Sequence, residues 1–144
     1  MVQTNRSLAL IDLAKIGDAI RDSETAINTY TRLVETDGQE IFVGDLVAAL
    51  DGLAWLYATY PDEKFRNGTK AVEYAGRSCK LTGWTDFKLL DTLAAAYAEL
   101  GEFDVAVQWE VTALDLAPED AKKDIGARLQ LFRTKKQYRE KRSS

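Results

Sequence analysis

Four stretches of the sequence hold side chains that could do chemistry. Glu102 with Asp104, and Glu119 with Asp120, are carboxylate pairs of the kind that serve general acid–base catalysis. Cys79 is the only thiol, and Asn67-Gly68-Thr69-Lys70 combines glycine, hydroxyl and lysine as phosphate loops do. Each has a plainer reading. The carboxylates fall in turns and helix starts, where an acid favours the helix N-terminus by ~0.3–1 kcal/mol. Cys79 stands beside Ser78 with no base near it in sequence and reads as a small buried residue. The Asn67 stretch lacks the glycine spacing and preceding strand of a phosphate loop, and reads as a helix start. The sequence contains no histidine, which removes the commonest general base, metal ligand and pH switch at once. The expectation is a protein that is not an enzyme, with no catalytic residue, metal site or cofactor.

The elements that would position a site must therefore be read for binding. At 144 residues the chain suits one domain able to bury roughly two-thirds of its unfolded surface. Two prolines and nine glycines give little material for a turn-dense β fold. One cysteine excludes an internal disulfide framework and fits a reducing compartment. No apolar run approaches the ~18 residues of a membrane span and no signal-peptide pattern opens the chain, so the expected location is the cytoplasm. The net charge of −4 is unevenly spread. Residues 1–120 hold 10 basic and 21 acidic side chains, net −11, whereas residues 121–144 hold 9 and 2, net +7.

The stretch Leu90 to Asp120 shows the organisation. Behind a candidate N-cap at Asp86, apolar residues recur at Leu89, Leu90, Leu93, Tyr97 and Leu100, which is helical spacing. Gly101 ends this helix by supplying a positive φ. A second series, Phe103, Val105, Ala106, Trp109, Ala113 and Leu116, runs to Pro118. So short a link makes the two helices antiparallel neighbours. Ala94, Ala106 and Ala113 let their backbones approach, with Tyr97 and Phe103 filling the gaps. This pattern resembles a tetratricopeptide repeat, a 34-residue helix–turn–helix unit, most closely over residues 87–120. Ala94 departs from the family's glycine, and Glu110 from its usual aromatic, for which the neighbouring Trp109 could supply bulk.

Two looser copies precede it. Asp45 to Tyr60, with Leu53-Ala54 and Tyr57, would pair with Asn67 to Leu81, whose small face is Ala71, Ala75 and Ser78. The link between them, residues 61–66, is about five residues longer than the repeat allows. Asn5 to Ile16 and Asp18 to Val34 would form a first pair with small residues Ala19 and Ala26. After Pro118, a basic helix with Ile125, Leu129 and Phe132 on one stripe suits the terminal cap that repeat arrays need. The expected fold is all-α: a right-handed α-solenoid of about three antiparallel helix pairs plus a C-terminal capping helix. The pairs cover about 4–36, 45–82 and 86–117, and the cap 119–138, in a single domain over 1–139. Residues 140–144 are expected to be a disordered tail. The runs LAWLYATYPDEKFRNGTKAVEYA and LDTLAAAYAELGEFDVAVQWE are similar to repeats of large bacterial multidomain proteins.

The resemblance implies a non-catalytic protein–protein interaction module, an adaptor, scaffold or regulatory part of a longer protein, with a partner in its concave groove. The first-helix residues off the packing stripe are the candidate groove: Asn5, Leu8, Asp12, Asp51, Trp55, Thr59, Lys88, Asp91, Thr92, Ala95 and Glu99. Trp55 is an aromatic off the stripe, either a partner anchor or a packing residue on the next repeat. With Lys88 the only cation among them, the groove does not match the family's carboxylate clamp. It should take a protein or peptide that is basic or partly apolar. Self-association through the first pair is the alternative. For the basic tail, Arg133 to Arg142, a solvated cap whose charges complement the helix dipole is preferred over nucleic-acid binding. A third reading docks the tail on another subunit's acidic groove.

Overall fold

The computed structural model describes the backbone of residues 2–141 and the side chains of residues 13–141. The fold is all-α, and the described residues form no strand. Six α-helices follow one another: α1 (Val2–Thr31), α2 (Val43–Thr59), α3 (Gly68–Leu81), α4 (Phe87–Glu99), α5 (Phe103–Leu116) and α6 (Glu119–Arg133). A π turn, Arg32–Thr36, prolongs α1, and 3-10 turns at Glu40–Phe42 and Glu63–Phe65 lie in the connections. Each helix packs on its sequence neighbour, and α2 also touches α4, giving a solenoid-like stack.

Local signals set most boundaries. Asp86 and Asn67 each accept a bond from a backbone N–H, of Lys88 at 3.0 Å and of Lys70 at 3.1 Å, so both cap their helices. Gly101 has φ +81°, and Glu102 N–H reaches back to the Tyr97 carbonyl at 2.9 Å, which closes α4 with a left-handed residue where a side chain would be strained. The small faces do what their size suggests. Ala94, Ala106 and Ala113 are fully buried where α4 meets α5, as are Ala71, Ala75 and Ser78 on α3. Ile125, Leu129 and Phe132 form the buried stripe of α6. Cys79 is buried too, and burial pushes its thiol up to about 12, where it is no nucleophile at neutral pH.

Four expectations need correction. The first pair is one continuous helix. A mid-helix glycine costs only about 1 kcal/mol relative to alanine, and neither proline nor an N-cap interrupts the chain at Gly17. Asp18 instead pairs with Arg21 along the helix. Polar clasps then hold α1: Glu24 accepts from Tyr57 at 2.7 Å and Tyr74 at 2.5 Å with Lys70 at 3.4 Å, and Arg77 donates to Thr31 at 2.8 Å. Burial opposes the Glu24 charge, but these hydroxyls and the ammonium outweigh it and lower its pKa. Second, Glu40–Thr59 is 20 residues long and apolar enough to match a membrane span by length and composition, although Leu46, Leu50, Leu53 and Ala54 along it are core residues.

Third, Trp109 packs half-buried against the core, but the position beside it does not turn outward. Trp109 stacks on Trp84 at 5.3 Å, while Glu110 goes inward and is fully buried. Fourth, α6 stops at Arg133, and the chain turns through Lys135 at φ +60°. The N–H groups of Lys135 and Lys136 bond the Phe132 and Leu131 carbonyls at 3.0 and 2.9 Å, a Schellman ending with lysine where glycine is favoured. Lys135→Gly is expected to raise stability by about 0.5–1 kcal/mol, since a left-handed side-chain residue costs ~1–2 kcal/mol and glycine recovers part of it. The urea midpoint reads this, and an unchanged or lower midpoint would mean the turn is relaxed.

Candidate functional site

The turn at Lys135 decides what the tail does. Instead of leaving the body, residues 136–141 run back to the end of α2, and Glu140, expected to be disordered, is held at two points. Its N–H donates to the Thr59 carbonyl at 2.8 Å, and its Oε1 accepts from Trp55 Nε1 at 2.6 Å. The reason lies in α2. Its last carbonyls have no partner within the helix, and Pro61 forbids its continuation. Asn67 N–H satisfies the Tyr57 carbonyl at 2.9 Å, Arg139 reaches the Ala58 carbonyl at 3.4 Å, and Glu140 takes Thr59.

Charge fixes the middle of the segment. Glu99, at the end of α4, is 15% exposed and faces two arginines. Arg66 Nε donates to its Oε1 at 3.2 Å, while Arg66 Nη1 donates to the Tyr60 and Pro61 carbonyls at 2.9 Å each, which pins the long link. Arg139 Nη1 lies 2.6 Å from Glu99 Oε2, an ion contact without hydrogen-bond alignment. The negative end of the α2 dipole points the same way, so a cation is favoured here twice over.

The third contact is aromatic. Tyr138 lies 5.6 Å from the Trp55 ring, and the Arg128 guanidinium sits 5.6 Å from Trp55 and 5.2 Å from Tyr138. Arg128 is held edge-on by Asp91, Nε to Oδ1 at 2.9 Å and Nη2 to Oδ2 at 2.8 Å, a bidentate pair that fixes the guanidinium plane. Burial works against the Arg128 charge, but the Asp91 bonds outweigh it and raise its pKa. Behind Asp91, Glu110 on α5 approaches Arg128 to 4.0 Å with no donor on either oxygen. Burial first, then the neighbouring Asp91 charge, push its carboxyl up to about 11, so it is a neutral acid at pH 7. A neutral acid can donate its proton to Asp91, which accounts for a carboxyl with no donor of its own.

The expected groove residues divide accordingly. Trp55 and Glu99 meet in the site and are partly exposed. Asp91 is buried beneath Arg128 and serves as its anchor. Thr59, Thr92 and Ala95 are buried and unavailable to a partner, which corrects their assignment to an open groove. The two threonine hydroxyls donate to the Trp55 and Lys88 carbonyls of their own helices at 2.8 and 3.1 Å. Asp51 keeps one buried oxygen without a hydrogen bond, and burial raises its carboxyl pKa. Lys88 is exposed beside an open cleft bounded by Phe87, Asp120 and Asp124 that runs up to Arg128. Asn5, Leu8 and Asp12 lie outside the described side chains.

Sequence reasoning missed Arg66, Glu110, Arg128, Tyr138, Arg139 and Glu140. The contrast between the −11 body and the +7 end was the available signal, and the basic end lies on its own acidic face. Among the described residues, no three His, Cys, Asp or Glu side chains stand where they could hold a metal ion. The arrangement holds an extended segment of the chain itself: the Ala58 and Thr59 carbonyls, the Glu99 carboxylate and the Trp55 indole all contact Arg139 or Glu140. No family model, curated protein or solved structure matches the chain.

Proposed function

We propose that the chain is a non-catalytic interaction module of tetratricopeptide type that takes an extended segment of a protein partner along the face formed by α2 and α4. The observation that carries this reading is that the face already holds a non-helical stretch of chain, through contacts a peptide in trans could make. These are a backbone N–H on the Thr59 carbonyl, an arginine on Glu99 and an acceptor on the Trp55 indole. Such contacts combine main-chain affinity with side-chain selectivity, and the surface charge favours a basic, partly apolar segment. The single thiol and the repeat pattern support a cytoplasmic adaptor or regulatory segment of bacterial type.

The test is selection from a displayed random-peptide library on the full chain. Peptides should be enriched whose binding weakens at least tenfold with Trp55→Ala, while helical circular dichroism is unchanged. A tenfold loss corresponds to 1.4 kcal/mol, a modest demand on an interfacial tryptophan, for which about 2 kcal/mol or more is common. No enrichment, or peptides indifferent to Trp55→Ala, would remove the groove from the proposal.

A further inference from the structure

The geometry points to a partner segment with the order aromatic–arginine–acceptor, of which Tyr138-Arg139-Glu140 is an internal copy that the partner displaces. This rests on the groove reading and gives it a chemistry. Three subsites stand in register along the face. The first is a flat aromatic slot, with Trp55 on one side and the Arg128 guanidinium, locked by Asp91, as its cationic wall at 5.6 Å. Tyr138 fills it. The second is an anionic corner made of Glu99 and the carbonyl end of α2. It takes a cation: Arg139 Nη1 lies against Glu99 and donates to the Ala58 and Tyr138 carbonyls. The third is the indole N–H of Trp55, which takes an acceptor one residue further on, where the backbone N–H meets Thr59. A bulky aromatic, a cation that arginine supplies here and an acceptor in consecutive positions satisfy all three.

The tail is suited to being displaced. Its described residues after Arg133 form no helix, it leaves α6 through the positive-φ Lys135, and most of its side chains from Arg133 to Lys141 are exposed. Its hold is intramolecular, with an effective concentration of order mM for a short flexible tether. If the free segment binds with a dissociation constant of order 10–100 μM, the tail lowers the apparent affinity of a competitor by about 10- to 100-fold. Access to the groove is thus set by competition between two segments of one chemistry.

A fluorescent peptide of the sequence Thr-Lys-Lys-Gln-Tyr-Arg-Glu-Lys, titrated by anisotropy, tests this on the full-length chain. Binding to the Tyr138→Ala/Arg139→Ala variant should be at least tenfold tighter than to the wild type. It should be lost when Trp55→Ala is added, and lost for a peptide with alanine in place of its tyrosine and arginine. Equal affinity for wild type and tail variant, or binding that ignores the peptide's tyrosine and arginine, would overturn the inference. If the tail variant loses helical content, amide hydrogen exchange on the wild type decides. Excess peptide should speed exchange at Glu140 while α4 amides stay protected, and unchanged exchange at Glu140 would overturn it. If library peptides depend on Trp55 but share no aromatic–arginine order and do not compete with the tail, the groove stands and this inference falls.

Discussion

Asp91→Asn is expected to cost about 3–5 kcal/mol of unfolding free energy in a chain that also carries Glu110→Gln, and only about 1–2 kcal/mol in the wild type. The difference follows from what each background leaves beside Arg128. That guanidinium is 15% exposed, and its bidentate partner Asp91 is 10% exposed, so the pair is effectively out of water. Removing one partner of a buried pair strands the other charge, which is where most of the cost arises. The wild type holds a substitute. Glu110 sits 4.0 Å from Arg128 and is kept neutral by burial and by the Asp91 charge. Once Asp91 is uncharged, that repulsion is gone, and the pull of Arg128 favours ionising Glu110. The neutral acid becomes the counter-ion. With glutamine at 110 no such replacement exists. Urea unfolding at pH 7 of the four chains of the cycle measures the coupling, expected at about 2–3 kcal/mol. Costs that add to within about 0.5 kcal/mol would show that Glu110 does not take over.

How much of this the sequence discloses depends on the range of each interaction. Gly101, Asp86, Asn67 and the alanine faces act within a turn or between adjacent helices, and spacing alone reveals them. The α1 break did not occur because nothing but one glycine argued for it, and clasps such as Glu24 to Tyr74, 50 residues apart, leave no local pattern. The end of α6 was hidden for a related reason: a lysine takes the left-handed position that glycine would have announced. Trp55 stood out by its place off the packing stripe, and it is the residue on which the site turns. Its partners were not legible. Tyr138 and Glu140 lie more than 80 residues away, and Glu140 bonds Trp55 across 85. Only the charge contrast between body and tail hinted that they would meet. Glu110 inverts the ordinary rule, since a glutamate at a repeat position reads as solvent-facing, and only the buried Asp91 and Arg128 give it reason to face inward.

Stability of the wild type is expected to fall as pH rises, and Glu110→Gln should abolish most of that dependence. Folding takes the Glu110 carboxyl from its ordinary value near 4.5 to about 11, with burial the largest cause and Asp91 the next. An acid whose pKa is raised on folding keeps its proton in the native chain and loses it on unfolding. Its contribution is therefore fully present below its unfolded pKa and is withdrawn as pH climbs toward the folded one. Across that window the unfolded chain binds one proton fewer, so the unfolding free energy declines by about 1.4 kcal/mol per pH unit. From pH 5 to 8 this amounts to about 4 kcal/mol, a large share of the total stability of a domain this size. Glutamine keeps the volume and can still donate an N–H toward Asp91, but it has no proton to hold. Urea unfolding of both chains at several pH values gives the test, with the variant gaining on the wild type as pH increases. Parallel profiles would mean that Glu110 is already ionised in the folded chain, and the neutral acid beneath Arg128 would have to be abandoned.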